Sequence, residues 1–275
     1  MSLDTRPPTR PRVSALARRE CLDAYLFLLP QLLGLAGLLI GPLLVSTYYT
    51  LTKWNLIAPR PTWIGLRNWA HLFLRDERMA QVIWNTLRFV VTATPVYLVL
   101  SLAVALLVHH KLVRSKPLIQ GLFFLPWTMS QVAVGTTWVW LLNARSGPIA
   151  QLLGMFGVAG PMWMQDPRYA MSAIAMATVW HALGYGMAIY LAGLRGISED
   201  LYEAATVDGA NALQRFWHVT LPSISPVTFF LLVTTLIAAF QLYDPVIAMT
   251  SPGPLDPAGG PQGSTRTIVI YLTLH

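Results

Sequence analysis

The chain has 275 residues, 55% of them hydrophobic and only 11% charged, with a mean hydropathy of +0.52; soluble domains carry about 25% charged residues, so composition excludes an ordinary soluble fold. The net charge of +7 arises from 19 basic and 12 acidic residues scattered over termini and loops, without the basic, aromatic-interleaved face that a nucleic-acid partner requires. A single cysteine, Cys21, excludes an intrachain disulfide framework and a cysteine-based metal cluster.

Taken in chain order, five stretches lack Asp, Glu, Lys and Arg: Ala24 to Thr52, Phe89 to Val108, Pro117 to Ala144, Tyr169 to Leu194 and Val219 to Tyr243. They run to 29, 20, 28, 26 and 25 residues, and ~20 helical residues cross a ~30 Å hydrocarbon core. Continuous apolar runs rather than ~10-residue alternation exclude a membrane β-barrel. The expected fold class is all-α, a polytopic transmembrane helical bundle. Arg18 and Arg19 precede the first run as in a signal peptide, but the run exceeds an h-region and no small-x-small site closes it, so a retained first span is expected. Residues 1–23 read as a tail and 24–275 as one membrane domain.

Orientation follows from the loops. With the N-terminus inside, the inner segments hold ten basic residues: Arg6, Arg10, Arg12, Arg18, Arg19, Lys111, Arg114, Lys116, Arg195 and Arg215. The outer segments hold eight: Lys53, Arg60, Arg67, Arg75, Arg78, Arg145, Arg168 and Arg266. The inner charges hug helix ends, which favours a cytoplasmic N-terminus. Tyr48, Trp54, Trp138 and Trp140 fall near run ends, where aromatic side chains prefer the headgroup level.

Within the runs no acidic or basic residue offers an ion relay; Arg88, Arg168 and Asp244 flank them, and His181 is the titratable group at depth. Ion-coupled transport is therefore disfavoured. No HExxH, GxSxG or phosphate-loop motif occurs, so no catalytic residue and no metal site is expected, and uphill transport needs energy from another polypeptide.

The segment 195–221 suggests a place for such a polypeptide to dock. Ser198 is a natural N-cap with Glu199 and Asp200 in the first turn, and Gly209 supplies a left-handed stop after about ten residues. Asn211 can cap a second short helix carrying Leu213, Phe216 and Trp217, and Pro222 falls near the start of the fifth span. Small residues on one side of this helix–turn–helix would let a partner's backbone approach.

Glu203-Ala204-Ala205, Asp208-Gly209-Ala210, Phe216, Val219, Leu221-Pro222 and Pro226 resemble the EAA signature of binding-protein-dependent ABC importer permeases. The flank Ile197-Ser-Glu-Asp-Leu-Tyr is similar to the carbohydrate-uptake branch, of the MalF and UgpA type; Asn85-Thr86-Leu87 and the stretch from Pro252-Gly253-Pro254 to Ser264-Thr265 also look like it. The resemblance implies a type I ABC importer permease core in the bacterial or archaeal cytoplasmic membrane. It implies a second homologous permease, an ABC ATPase dimer that uses ATP and magnesium, and an extracytoplasmic solute-binding protein, with membrane lipid around and no cofactor in this chain. The EAA loop would be the coupling helix: Glu203 would make a polar contact to the ATPase, Ala204 and Ala205 would pack in its groove, and Gly209 would form the turn.

Aromatic faces and neutral hydrogen-bonding groups suit a carbohydrate, and Trp127, Gln131, His181, Tyr185, Gln241 and Tyr243 are the candidates for a solute path. Each has an alternative role in helix–helix bonding or interfacial anchoring. Pro95, Pro126 and Gly184 can bend or loosen their helices, which suits a moving bundle but is also common in static ones. The rival solute is a phosphorylated small molecule such as glycerol 3-phosphate, for which only Arg88 is placed; a membrane enzyme or scaffold is the rival from another class. The family core has two spans after the EAA loop, and Thr267 to Leu274 reads as the opening turns of a sixth, hence a final helix that is incomplete.

Overall fold

A computed structural model describes residues 15–54, 59–110, 115–250 and 259–274. Arg6, Arg10, Arg12, Lys111, Arg114 and the Pro252–Pro254 stretch of the sequence argument lie outside them. The chain divides into two compact units, one up to Asp76 and one from Glu77.

The first unit is built on one long helix: α1 (Ala15–Leu35), a π turn (Ala36–Ile40) and α2 (Gly41–Thr50). From Arg19 to Thr50 it is long and apolar enough to cross a membrane, and none of its most apolar window is buried. Such all-round exposure of Leu, Phe and Tyr is the pattern of a helix solvated by acyl chains. Strands β1 (Thr52–Lys53) and β2 (Thr62–Trp63) pair antiparallel beyond it, followed by the short helix α3 (Arg67–Leu74).

The second unit opens with α4 (Glu77–His109). Next come α5 (Lys116–Phe124), a 3₁₀ turn (Leu125–Thr128), α6 (Gln131–Leu141) and α7 (Pro148–Met155). The long α8 (Pro167–Arg195) leads to α9 (Glu199–Val207), α10 (Ala212–Arg215), a π turn (Phe216–Thr220) and α11 (Leu221–Ser223). The chain then runs through α12 (Ser225–Phe240), α13 (Asp244–Thr250), a 3₁₀ turn (Pro261–Gly263) and α14 (Ile268–Leu274). Helices α4 and α8 pack along their lengths and form the centre of the unit. Asp166 caps α8 by accepting from Arg168 N at 2.9 Å, and the Arg168 guanidinium holds its carboxyl below the usual carboxylate range.

Helices α4 and α8 approach closely because small residues face the contact: Ala93, Ser101 and Ala105 on one, Ala173, Ala177 and Gly186 on the other are all buried. Close backbone approach through small side chains drives helix association where lipid tails are as apolar as leucine. Gly184 has the same role against the α5 end: a Cβ there would collide with the Phe123 carbonyl oxygen and come within 2.6 Å of Phe124 Cα. It is a packing position rather than a loosening point. Pro95 likewise leaves α4 continuous.

Two apolar runs depart from straight spans. The run 117–144 breaks at Met129 and Ser130, both in extended conformation, and the helices on either side meet at 100°. Irregular backbone at membrane depth is tolerated where the protein satisfies the freed groups, and the Met129 carbonyl is taken by His181 Nε2 at 3.1 Å. The bond requires the proton on Nε2, so His181 serves as a hydrogen-bonding post for the break. The fifth run bends by 62° between α11 and α12. Pro226 therefore opens the apolar helix, and Pro222, near its start as expected, sits in the short helix just before the bend.

The Asn85-Thr86 and Ser264-Thr265 motifs meet. Asn85 Nδ2 donates to the carbonyls of Gly263 (2.8 Å) and Arg266 (3.2 Å), while Thr86 Oγ1 accepts from Ile268 N (3.2 Å). Thr267 Oγ1 donates to Leu242 O at 2.8 Å, so the strap 259–268 ties the start of α4 to the end of α12. Replacing Asn85, which is buried, by Leu leaves two carbonyls without their donor. We expect a loss of about 2 kcal/mol, read as a fall of several degrees in the melting temperature of the purified chain; Asn85→Gln should fall between.

Candidate functional site

The loop 195–221 is rigid by local chemistry. Ser198 Oγ accepts from Asp200 N (3.3 Å) to start α9. At its end Gly209 N donates to Thr206 O (3.0 Å) and Ala210 N to Ala205 O (2.9 Å), with Gly209 at φ +80°, a Schellman stop. Asn211 and Gln214 form a reciprocal capping box, 2.8 and 2.9 Å, that begins α10. The two arms are cross-tied: Tyr202 Oη lies 2.9 Å from Thr220 Oγ1, and Arg215 Nη1 donates to Thr206 Oγ1 at 2.9 Å.

These ties leave a shallow hollow of about 260 Å³ between the arms, floored by Ala205, Gly209 and Ala210 and walled by Asp208, Gln214, Arg215, His218 and Val219. Glu203 and Ala204 are exposed on the adjacent face, Phe216 and Leu221 are half-buried behind, and Pro222 is exposed. Glu203 makes no hydrogen bond or ion pair among the described residues. The sequence argument omitted Val207, which is 88% exposed on the same arm; its place at the last turn of α9, just before the glycine stop, was the available signal.

The second feature is a cavity of about 500 Å³ among α4, α8, α12 and the break at residues 129–130. All six depth candidates, Trp127, Gln131, His181, Tyr185, Gln241 and Tyr243, line it. Trp127 is stacked on Tyr185 with ring centroids 4.8 Å apart and planes at 21°, and the His181 ring, one turn along α8 from Tyr185, lies tilted 5.4 Å from Trp127. The lining adds the hydroxyl residues Thr178, Thr234 and Thr235, together with Thr94, whose own hydroxyl is buried, and Asp244. Among the described residues no Lys or Arg lines it. Such a surface offers one flat aromatic face and a ring of neutral donors and acceptors, with a single anionic acceptor.

Residues 74–259 match the model of the family described as binding-protein-dependent transport system inner membrane component. The chain belongs to this family. Similar permeases include the probable ABC transporter permease protein YesP of Bacillus subtilis, 33% identical over 87% of this chain and 77% of that one. The sn-glycerol-3-phosphate transport system permease protein UgpA of Salmonella typhimurium is 33% identical over 89% and 80%. The trehalose/maltose permease MalF of Thermococcus litoralis is 29% identical over 93% and 83%. A crystal structure of a bacterial alginate ABC transporter in complex with an alginate-bound periplasmic protein has the same fold, with a TM-score of 0.76 at 22% identity over 95% of this chain and 85% of that chain.

For an inner-membrane permease two sequence readings change. Asp244 was assigned to a run end, yet it lines the cavity that His181 also lines, because α12 stops at Phe240 and Gln241 to Tyr243 turn away from it. Arg88, the basic residue reserved for a phosphorylated solute, is exposed and donates Nη2 to Arg168 O at 3.3 Å, away from the cavity wall.

Proposed function

We propose that the chain is a transmembrane subunit of an ATP-driven importer for a neutral sugar or sugar derivative. It forms half of the solute path with a second homologous permease. The 195–221 loop docks on a separate ABC ATPase on the cytoplasmic side, where the N-terminus also lies, and an extracytoplasmic binding protein delivers the solute. The observation that carries the reading is the cavity. Six residues chosen for carbohydrate chemistry converge on one space, with a Trp127–Tyr185 face and amide and hydroxyl groups, and with no Lys or Arg among the described residues to neutralise a phosphate. Asp244 fits as a charge-assisted acceptor for a pair of sugar hydroxyls.

The test is uptake. Cells in which this chain is deleted are compared with cells in which it is restored, using radiolabelled neutral mono- and disaccharides beside glycerol 3-phosphate. Loss and recovery of a neutral sugar alone is the expected result. Loss of glycerol 3-phosphate uptake instead would replace the sugar reading.

A further inference from the structure

Helix α3 carries chemistry that the transport reading does not use. Leu66, Trp69, Phe73 and Leu74 form one exposed apolar face at helical spacing, with Leu74 82% exposed and Leu66 70%. Arg67, His71 and Arg75 follow at intervals of four on the flank turned away from Trp69 and Phe73, with Arg67, two turns before Leu74, at the edge where Leu74 lies. The helix is also pinned in depth. Asn68 Nδ2 donates to the carbonyls of Thr50 and Thr52, both at 2.9 Å, and Trp69 Nε1 donates to Thr50 Oγ1 at 3.3 Å. Thr50 is the last residue of the first span, so α3 is fastened where that span leaves the hydrocarbon. The aromatic pairs Tyr48–Trp63, at 6.0 Å, and Tyr49–Trp54, at 5.1 Å, ring the same level, where Tyr and Trp prefer to lie.

We propose that α3 is an interfacial anchor: it lies in the membrane surface at which the first span ends, with Leu66, Trp69, Phe73 and Leu74 among the upper acyl chains. Arg67, His71 and Arg75 then take the phosphates of lipid headgroups, and anionic lipid strengthens the seat. A short amphipathic helix with aromatic and leucine residues on one face and basic residues on the other is built for this layer. The lipid is favoured over a protein as the occupant because the face is fastened to the end of a span that is long and apolar enough to cross a membrane and whose leucines are exposed. The basic side also matches the charge of the headgroup phosphates.

The single cysteine makes the test direct. In a Cys21→Ser background, Leu38→Cys, His71→Cys and Leu74→Cys are each labelled with a small fluorophore, and the full chain is placed in phosphatidylcholine nanodiscs with or without brominated acyl chains. Leu38, 84% exposed in the middle of the span, reports that insertion is intact. The expected result is quenching at Leu74 of at least about half that at Leu38, and several times that at His71. Exchanging half the lipid for phosphatidylglycerol should increase quenching at Leu74, and the paired change Arg67→Gln with Arg75→Gln should remove the increase. Quenching at Leu38 without quenching at Leu74 overturns the anchor, as does equal quenching at His71 and Leu74. Shielding of the Leu74 label by an added binding protein, with no lipid quenching, would make the face a protein-docking surface. Indifference to phosphatidylglycerol overturns the headgroup contact.

Discussion

Gly209→Pro is expected to abolish import and to lose the co-purifying ATPase while the membrane helices stay folded. Gly209 sits at φ +80° and its N–H donates to Thr206 O; proline is locked near φ −65° and has no N–H to give. The α9–α10 turn must therefore reopen, and with it the hollow floored by Ala205, Gly209 and Ala210. Space is not the obstacle, since a Cβ at Gly209 would meet no atom within 4 Å. Gly209→Ala should accordingly cost only the left-handed penalty of about 1 kcal/mol and keep most of the activity. Glu203→Lys is the companion test of charge. Among the described residues Glu203 has no partner to lose, so the fold should tolerate it within about 0.5 kcal/mol. A reversed charge at a docked contact costs a partner several kcal/mol, so ATPase recovery and uptake should fall about tenfold or more. The measurement is ATPase activity in the eluate of the tagged chain from native membranes, with uptake in parallel. Wild-type ATPase recovery in both Gly209→Pro and Glu203→Lys would remove the docking role of this loop.

How much of this was legible depended on the range of the interactions. The loop could be read almost residue by residue, because Ser198, Gly209 and Asn211 act on backbone groups two to five positions away. The break in the 117–144 run could not. Pro126 lies three residues before Met129, but nothing at Met129 or Ser130 themselves forbids a helix. What permits the break is His181, 52 residues away, receiving the Met129 carbonyl. Gly184 was ambiguous for the same reason: its meaning is the Phe123–Phe124 backbone pressed against it, and no local pattern reports a neighbouring helix. Asp244 was hidden by treating the end of the uncharged run as the end of the helix. The helix ends earlier, at Phe240, and the turn that follows brings Asp244 to the cavity lining. The six path candidates lie on one cavity because polar and aromatic groups at membrane depth are costly unless they face protein or a cavity, which makes chemistry a guide to position there.

Trp127→Ala should lower the maximal import rate about tenfold while the co-purifying ATPase is retained, the opposite signature to the loop variants. Trp127 is 38% exposed and supplies the open face of the stack with Tyr185. Aromatic contacts of this kind are worth about 0.5–1.5 kcal/mol beyond burial, and 1.4 kcal/mol is tenfold. Trp127→Phe keeps a flat face and should retain most of the rate. Asp244 separates the aromatic from the hydrogen-bonding contribution: Asp244→Asn keeps an acceptor and loses the charge assistance, whereas Asp244→Leu loses both. A graded loss, wild type above Asn above Leu, is the expected order for a residue that accepts sugar hydroxyls. Because affinity for free solute belongs to the delivering protein in this reading, the change should fall on the maximal rate and leave the half-saturating concentration nearly unmoved. If Trp127→Ala and Asp244→Leu both import at the wild-type rate, the 500 Å³ cavity is not the path. The solute would then have to pass along a surface that this chain completes only with its partner.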